Sequence, residues 1–237
     1  MTTREVVVFP GHLCNERMYR PLVRDLSDIA TFHVADLYGF DSVGAMADDA
    51  LRKAPSTFVL LANSMGGAVA FEALRRAPER IEALILMGTT AQPEFLAQSS
   101  RRAKAIELLA SEDWSAISAL YAPVFFFEQN REQNPGLDRT LEAMIRDLDA
   151  QRIRGQQRAF SARADSRPTL SKIKCRTLVL CGRQDGITPL SHSEEMAAGI
   201  PEADLTVFES CGHIPTLEQP QATSKAIRHW LSNKSGV

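Results

Sequence analysis

Six short runs of β-branched and aliphatic residues recur along the chain, and most are followed by a stretch of helical period. Continuous apolar runs suit parallel strands covered on both faces, because alternation disappears when neither face of a strand meets water. Parallel strands also need crossover connections, which the helical stretches supply. An α/β fold is therefore predicted. The predicted strands cover residues 5–9, 31–35, 57–62, 83–87, 177–181 and 204–209.

The strand rhythm disappears between residues 90 and 168, where helical stretches such as 98–110 and 140–154 replace it. A length of 237 residues suits one core domain with a sizeable insertion better than two equal domains. We therefore expect a core of residues 1–90 and 166–237, interrupted by a helical cap of residues 91–165. The expected core helices cover residues 19–27, 43–54, 65–77, 190–198 and 220–233; the third should end before Pro78, which has no amide to continue it.

Charge and composition narrow the class of partner. The chain has 27 Lys and Arg against 29 Asp and Glu, so it lacks the basic field that would hold nucleic acid or an anionic membrane surface. It has neither an apolar run long enough to span a membrane nor the features of a signal peptide. The four cysteines are scattered, without a Cys-x-x-Cys pair. We expect a soluble, cytoplasmic protein with a small-molecule substrate.

The third predicted strand runs directly into Asn63-Ser64-Met65-Gly66-Gly67 and then a helix. A serine aimed out of such a sharp turn has strained backbone geometry, and bulky residues two positions away would clash with it. Ala62 and Gly66 are both small. The helix that follows directs backbone N–H groups and the positive end of its dipole at the site, which suits an oxyanion. By itself, the pattern also fits a structural serine.

Two further loops supply possible partners for Ser64. The strand at 177–181 opens into a loop containing Asp185, and the last strand is followed by Cys211-Gly212-His213. All three side chains are expected at the carboxyl ends of parallel strands, where open α/β sheets build their sites. Acids near strand ends are common, so Asp36, Asp204 and Glu209 compete with Asp185. Asp36 is expected to anchor its own loop through local hydrogen bonds.

Taken together, these segments resemble the α/β-hydrolase family, in which nucleophile, acid and histidine follow in this order. The first and last segments are similar to small bacterial carboxylesterases and lactonases, of the pimeloyl-ester carboxylesterase and 3-oxoadipate enol-lactonase type. Pro10 and Ala62 depart from the family's usual His and Gly, but neither removes a catalytic group. The family's first two strands are expected to be missing, which leaves about six parallel strands. The matching segments are residues 9–12, 35–39, 62–67, 182–185 with 188–189, and 211–213.

The resemblance implies a role for each matching residue. Ser64 would attack an acyl carbon, His213 would take and return the proton, and Asp185 would orient the imidazole. The backbone N–H groups of His12 and Met65 would form the oxyanion hole. The implied activity is hydrolysis of a small to medium carboxylic ester or lactone through an acyl-enzyme, without a cofactor.

Other activities remain open on the same residues. Hydrolysis of a carbon–carbon bond next to a ketone uses the same three residue types, and a cofactor-free perhydrolase or haloperoxidase-like activity is a further alternative. A receptor-like protein with little turnover would usually have lost part of the triad. A nucleotide-binding enzyme is disfavoured because the glycine-rich phosphate motifs are missing. The oligomeric state is left open.

An aromatic cluster in the insertion ends in Phe125, Phe126 and Phe127. We expect these side chains to line an apolar substrate pocket, since ligand pockets are mainly apolar, although they could instead form the core of the cap. No metal is expected: His12 and Cys14 are near each other, but no second pair follows at ligand spacing.

Overall fold

The computed structural model describes residues 3–94 and 96–233, without the side chains of residues 96–98. Its strands form one sheet in the order β2-β1-β3-β4-β5-β6, and every neighbouring pair is parallel. The predicted six-stranded parallel sheet is confirmed, with each strand within two residues of its expected bounds. The strands are β1 (Arg4–Phe9), β2 (Ala30–Val34), β3 (Phe58–Asn63), β4 (Ile81–Met87), β5 (Arg176–Gly182) and β6 (Asp204–Phe208).

Helices connect these strands, and α3 ends just before Pro78, as expected. Within the described ranges, each helix is too short or too polar to cross a bilayer. Short 3-10 turns lie at Glu16–Tyr19 and Pro78–Arg80. The helices are α1 (Arg20–Leu26), α2 (Val43–Lys53), α3 (Met65–Arg76), α4 (Leu96–Ala110), α5 (Trp114–Phe125), α6 (Glu128–Gln133), α7 (Gly136–Arg146), α8 (Ala150–Ser161), α9 (Arg167–Leu170), α10 (Leu190–Gly199), α11 (Pro215–Glu218) and α12 (Pro220–Ser232).

The core consists of two apolar layers, one on each face of the sheet. Successive side chains of a strand point to opposite faces, so in β3 Val59 and Leu61 enter one layer while Leu60 enters the other. The first layer also contains α1, α12 and parts of α5 and α7, and the second contains α2 and α3. All residues of β3 are buried. Burial on both faces explains why the strands are continuous apolar runs in the sequence.

Helices α4–α8 lie between β4 and β5, where the cap was expected. One prediction within this segment was wrong: the helix expected over residues 140–154 is two helices, α7 and α8. The side chain of Asp149 accepts the N–H of Arg152 at 2.7 Å, which caps a new helix instead of continuing the old one. The cap limits at residues 91–165 remain a proposal.

Among the described residues, three ion pairs join this segment to the 3-10 turn and the loops that follow β1 and β2. Arg17 Nε lies 2.6 Å from Asp147 Oδ2, and the other pairs are Arg152 with Asp36 and Arg158 with Asp41. Because these side chains are largely exposed, each pair contributes little to stability. Asp36 also accepts the N–H of Tyr38 at 3.0 Å, which confirms its predicted local role.

Candidate active site

Ser64 occupies the sharp turn between β3 and α3. Its backbone has φ 52° and ψ −118°, a positive φ that is strained for a residue with a side chain. The Ser64 N–H donates to the carbonyl of Met87 at 3.0 Å. Its carbonyl accepts the Thr89 hydroxyl at 2.6 Å and the Gly67 N–H at 2.9 Å. These bonds to two neighbouring segments hold the strained turn in place.

Close contacts explain why the turn needs small residues. A Cβ added at Gly66 would lie only 2.0 Å from the carbonyl oxygen of Phe9, because the end of β1 presses against the start of α3. A Cβ at Gly11 would lie 3.1 Å from the Cβ of Ser64. The loop after β1 therefore passes directly beside the serine, and it carries the backbone of His12 into the site.

The structure brings Ser64, Asp185 and His213 into one hydrogen-bonded line. His213 Nε2 lies 2.8 Å from Ser64 Oγ, and His213 Nδ1 lies 2.8 Å from Asp185 Oδ2. Asp185 and His213 are both buried. Because an ionised carboxylate can only accept, Nδ1 carries the proton and Nε2 is left to accept the serine hydroxyl. A serine in this arrangement can lose its proton to the imidazole as it attacks an electrophile.

The carboxylate of Asp185 is fixed by three further donors. Its Oδ1 accepts the N–H groups of Ile187 at 2.7 Å and Thr188 at 2.8 Å. Its Oδ2 also accepts the Thr188 hydroxyl at 2.8 Å. Donors on both oxygens fix the orientation of the carboxylate towards His213.

The competing acids are engaged elsewhere. Asp204 Oδ2 accepts the indole N–H of Trp230 at 2.7 Å, and Glu209 pairs with Arg183 on the surface. Asp36 pairs with Arg152. Among these acids, Asp185 is the one that contacts His213.

Two backbone N–H groups beside Ser64 have no acceptor among the described residues. Neither the His12 nor the Met65 N–H donates a hydrogen bond within the described part of the chain. Met65 is the first residue of α3, where backbone N–H groups have no intrahelical acceptor. Donors in such positions can stabilise the negative charge that develops on a carbonyl oxygen under attack.

A small cavity of about 50 Å³ opens onto Ser64. Helices α4, α5 and α8 contribute most of its wall. The wall is mainly apolar and aromatic, with a basic part from α4. The lining residues are His12, Ser64, Arg101, Arg102, Tyr121, Phe125, Phe160 and Ile187.

The three predicted pocket phenylalanines point to different surroundings. Phe125 lines the cavity, and its ring centroid lies 5.3 Å from that of His213. Helix α5 ends at Phe125 and the chain turns extended at Phe126, so the next two side chains leave in other directions. Phe126 is buried in the apolar layer, and Phe127 is partly buried at the start of α6. Neither is among the described residues that line the cavity.

The side chain of His12 is a polar group in the cavity wall. Its Nδ1 lies 2.9 Å from Gln156 Oε1, while Nε2 is buried without a partner among the described residues. Burial lowers the pKa of His12 to about 4, partly opposed by the bond to Gln156. The ring is therefore neutral near pH 7. The described residues contain no group of three or more acidic, histidine or cysteine side chains that could hold a metal.

Glu218 is a partly buried residue that the sequence did not reveal as part of the site. Its carboxylate accepts N–H groups from Gly212 at 3.0 Å, Ile214 at 3.3 Å and Phe127 at 2.8 Å. Burial raises the pKa of this carboxyl. The contacts hold the loop of His213 against the end of α5, whose Phe125 carbonyl accepts the His213 N–H at 2.7 Å. The nearest sequence signal is an acid shortly after His213, and the sequence does not give its target.

Gly88 is a second missed residue. It has φ 51°, and a Cβ there would lie 2.9 Å from the His213 carbonyl oxygen and 3.2 Å from His213 Nδ1. The end of β4 therefore passes directly beneath the Asp185–His213 pair. A glycine after an apolar strand is a signal that could have marked this close approach.

Comparison with known proteins identifies the family. A family model described as the alpha/beta hydrolase fold matches residues 10–220. The chain belongs to the α/β-hydrolase family. The resemblance inferred from the sequence is thereby confirmed.

The α/β-hydrolases similar to this chain are named for different substrates. The 2-hydroxy-6-oxo-6-phenylhexa-2,4-dienoate hydrolase of Comamonas testosteroni is 33% identical over 158 residues, which are 65% of this chain but only 55% of that enzyme. The pimeloyl-[acyl-carrier protein] methyl ester esterase of Aliivibrio salmonicida is 26% identical and covers 96% of this chain and 92% of its own length. The solved structure of a thermophilic esterase from Thermogutta terrifontis is 28% identical, with a TM-score of 0.86, and the match covers 97% of this chain and 90% of that one.

Proposed function

We propose that this α/β-hydrolase is a serine hydrolase that cleaves a small to medium carboxylic ester or lactone through an acyl-enzyme. The observation that carries the proposal is the hydrogen bond of 2.8 Å from Ser64 Oγ to His213 Nε2. This hydrogen bond lies at a cavity, beside the backbone N–H groups of His12 and Met65, which have no acceptor among the described residues. The esterase relatives support the same class of substrate.

In the first half of the proposed reaction, Ser64 Oγ forms a bond to the ester carbonyl carbon while His213 Nε2 takes the hydroxyl proton. The carbonyl oxygen becomes an oxyanion and accepts hydrogen bonds from the N–H groups of His12 and Met65. The intermediate then collapses. The carbon–oxygen bond to the alcohol breaks, and the alcohol leaves with the proton from His213.

In the second half, water attacks the acyl-enzyme and gives a proton to His213 Nε2. The new tetrahedral intermediate expels Ser64, which recovers its proton from the imidazole, and the carboxylic acid is released. Throughout, Asp185 holds Nδ1–H of His213 and stabilises the transient imidazolium. A lactone follows the same steps, except that the alcohol stays attached and the product is a hydroxy acid.

A second candidate function is hydrolysis of a carbon–carbon bond next to a ketone. It is favoured by two relatives that are 33% and 31% identical and named as hydrolases of 2-hydroxy-6-oxo acids. We rank it second because those alignments cover 55% and 62% of the relatives' lengths, whereas the esterase match covers 92%. Turnover of 2-hydroxy-6-oxo-6-phenylhexa-2,4-dienoate without turnover of esters would reverse this ranking.

The proposal is tested by active-site labelling combined with a substrate panel. A fluorophosphonate should form a covalent adduct on the peptide containing Ser64, detected by mass spectrometry. The panel consists of p-nitrophenyl esters from acetate to laurate together with simple lactones, and kcat/KM should be greatest for short to medium acyl chains. An adduct on another peptide, or no turnover of any ester or lactone, would contradict the proposal.

The dependence on acyl length should report on Phe125. Each buried methylene adds about 0.8 kcal/mol until the cavity is full. Phe125→Ala enlarges the cavity, so the optimum of kcat/KM should move to longer acyl chains. Phe126→Ala is the matched control, because its ring packs in the apolar layer outside the cavity. That control should lower the thermal midpoint and keep the parent profile, whereas an unchanged profile in Phe125→Ala would remove Phe125 from the pocket.

A further inference from the structure

Two arginines of α4 line the cavity that contains Ser64, and one of them already has an ion-pair partner. The guanidinium of Arg102 forms an ion pair with Glu94 and donates to the backbone carbonyl of Gln157 at 2.7 Å. It also lies over the ring of Phe160, 5.7 Å from the centroid. With these contacts, Arg102 is part of the cavity wall.

Arg101 differs from its neighbour. It lines the same cavity and is partly buried, yet it has no ion pair or hydrogen bond within residues 3–94 and 96–233. A guanidinium does not lose its charge in a protein, and taking it out of water without a partner is unfavourable. The cavity therefore contains a positive charge without a counter-charge from the described residues.

A second polar group in the cavity also lacks a partner. His12 Nε2 is buried and makes no hydrogen bond among the described residues, while Nδ1 is engaged by Gln156. Because His12 Nδ1 donates to Gln156 Oε1 and the ring is neutral, Nε2 is an acceptor. A carboxylate in the cavity would therefore pair with Arg101 and not with His12. The wall also contains the largely apolar side chains of Tyr121, Phe125 and Ile187, and a charge pair formed beside apolar groups is stronger than one in bulk water.

We propose that Arg101 binds a carboxylate carried by the substrate, so that the preferred substrates are esters bearing a carboxylate away from the scissile bond. This inference rests on the proposed function at Ser64. The planar guanidinium matches a carboxylate in geometry and can bind both oxygens at once. The carboxylate belongs either to the acid part or to the alcohol part of the ester, and the two cases share the same recognition chemistry.

Matched substrate pairs test the proposal. Monomethyl glutarate and methyl hexanoate are similar in length, but the former has a carboxylate on the acid side where the latter has an alkyl end. Acetoxyacetate and propyl acetate make the same comparison on the alcohol side. The wild type should give a higher kcat/KM for the charged member of at least one pair, and the pair that responds identifies which part of the substrate carries the carboxylate.

Three variants then assign the preference to Arg101. Arg101→Gln should lower kcat/KM for the preferred charged ester by about tenfold to a hundredfold, as expected for a charge-assisted hydrogen bond, and change the neutral ester little. Arg101→Lys should lose only part of the preference. Arg139→Gln is the control, because Arg139 is exposed on α7, lies outside the cavity lining and makes the same change in net charge.

The outcomes separate this inference from the proposed function. The Arg101 assignment is overturned if the wild type shows no preference within either pair, if Arg101→Gln impairs charged and neutral esters equally, or if Arg139→Gln has the same effect. Absence of any ester hydrolysis would overturn the proposed function instead. Calorimetry with glutarate then still decides on Arg101: binding lost in Arg101→Gln and kept in Arg139→Gln supports it, and binding equal in the two variants overturns it.

Discussion

Ser64→Ala is expected to lower kcat by a factor on the order of 10⁴ or more, because in the proposed mechanism Ser64 supplies the nucleophile that forms the acyl-enzyme. The fold should persist. Within the described part of the chain, the hydroxyl makes one hydrogen bond, to His213, while the turn is held by backbone bonds and by the contact between Gly66 and Phe9. The free energy of unfolding should therefore change by about 1 kcal/mol or less.

The measurement is kcat for p-nitrophenyl acetate, with the thermal midpoint recorded on the same preparation. Ser171→Ala is a matched control, since Ser171 is exposed and outside the cavity lining, and it should keep both values. Labelling by the fluorophosphonate should vanish in Ser64→Ala alone. Activity retained in Ser64→Ala would contradict a role for this serine in the mechanism. If the variant were unfolded, the loss of activity would be explained by the loss of structure, and the prediction that the fold persists would be wrong.

The sheet and the Ser64 turn could be predicted because their signals are local. Burial on both faces makes each strand a continuous apolar run, and β3 is buried along its whole length. The turn needs a residue without a side chain at Gly66, because β1 passes 2.0 Å from where a Cβ would lie. Such requirements constrain the sequence at the same place where they act in the structure.

The partners of Ser64 could not be predicted from a local sequence pattern alone. Other acids and histidines competed with Asp185 and His213 in the sequence. These two were predicted from their loops at the ends of strands and from the order of residues in the family. The two hydrogen bonds of 2.8 Å depend on the register of β4, β5 and β6 and on the loops after them. Strand register is set by packing across the whole sheet and cannot be predicted from a short motif.

Side-chain direction within the helices between β4 and β5 could not be predicted. Phe125, Phe126 and Phe127 are consecutive, yet only the first lines the cavity, because α5 ends there. Arg101 and Arg102 are also neighbours, and Glu94 engages one of them. Glu218 accepts an N–H from Phe127, 91 residues away along the chain. These pairings depend on how the helices dock, which their composition does not specify.

Asp185→Asn is expected to lower kcat by about 10³ to 10⁴, although the amide has nearly the same shape as the carboxylate. The neighbouring backbone N–H groups fix the orientation of the asparagine amide. Oδ1 of Asp185 receives the backbone N–H groups of Ile187 and Thr188, so the asparagine oxygen must take that position and its NH₂ group must face His213. Nδ1 would then have to accept, which moves the imidazole proton to Nε2. A protonated Nε2 cannot take the proton of Ser64.

A change of tautomer and a loss of structure would affect the thermal midpoint of Asp185→Asn differently. The thermal midpoint of Asp185→Asn should stay near that of the parent, and labelling of Ser64 by the fluorophosphonate should slow by a factor similar to the fall in kcat. Asp36→Asn and Asp204→Asn are the controls, since these acids bind Arg152 and Trp230 instead of the imidazole. Near-normal turnover in Asp185→Asn, with a large loss in either control, would assign support of His213 to another carboxylate and would mean that the hydrogen bond from Nδ1 to Asp185 is dispensable for the reaction.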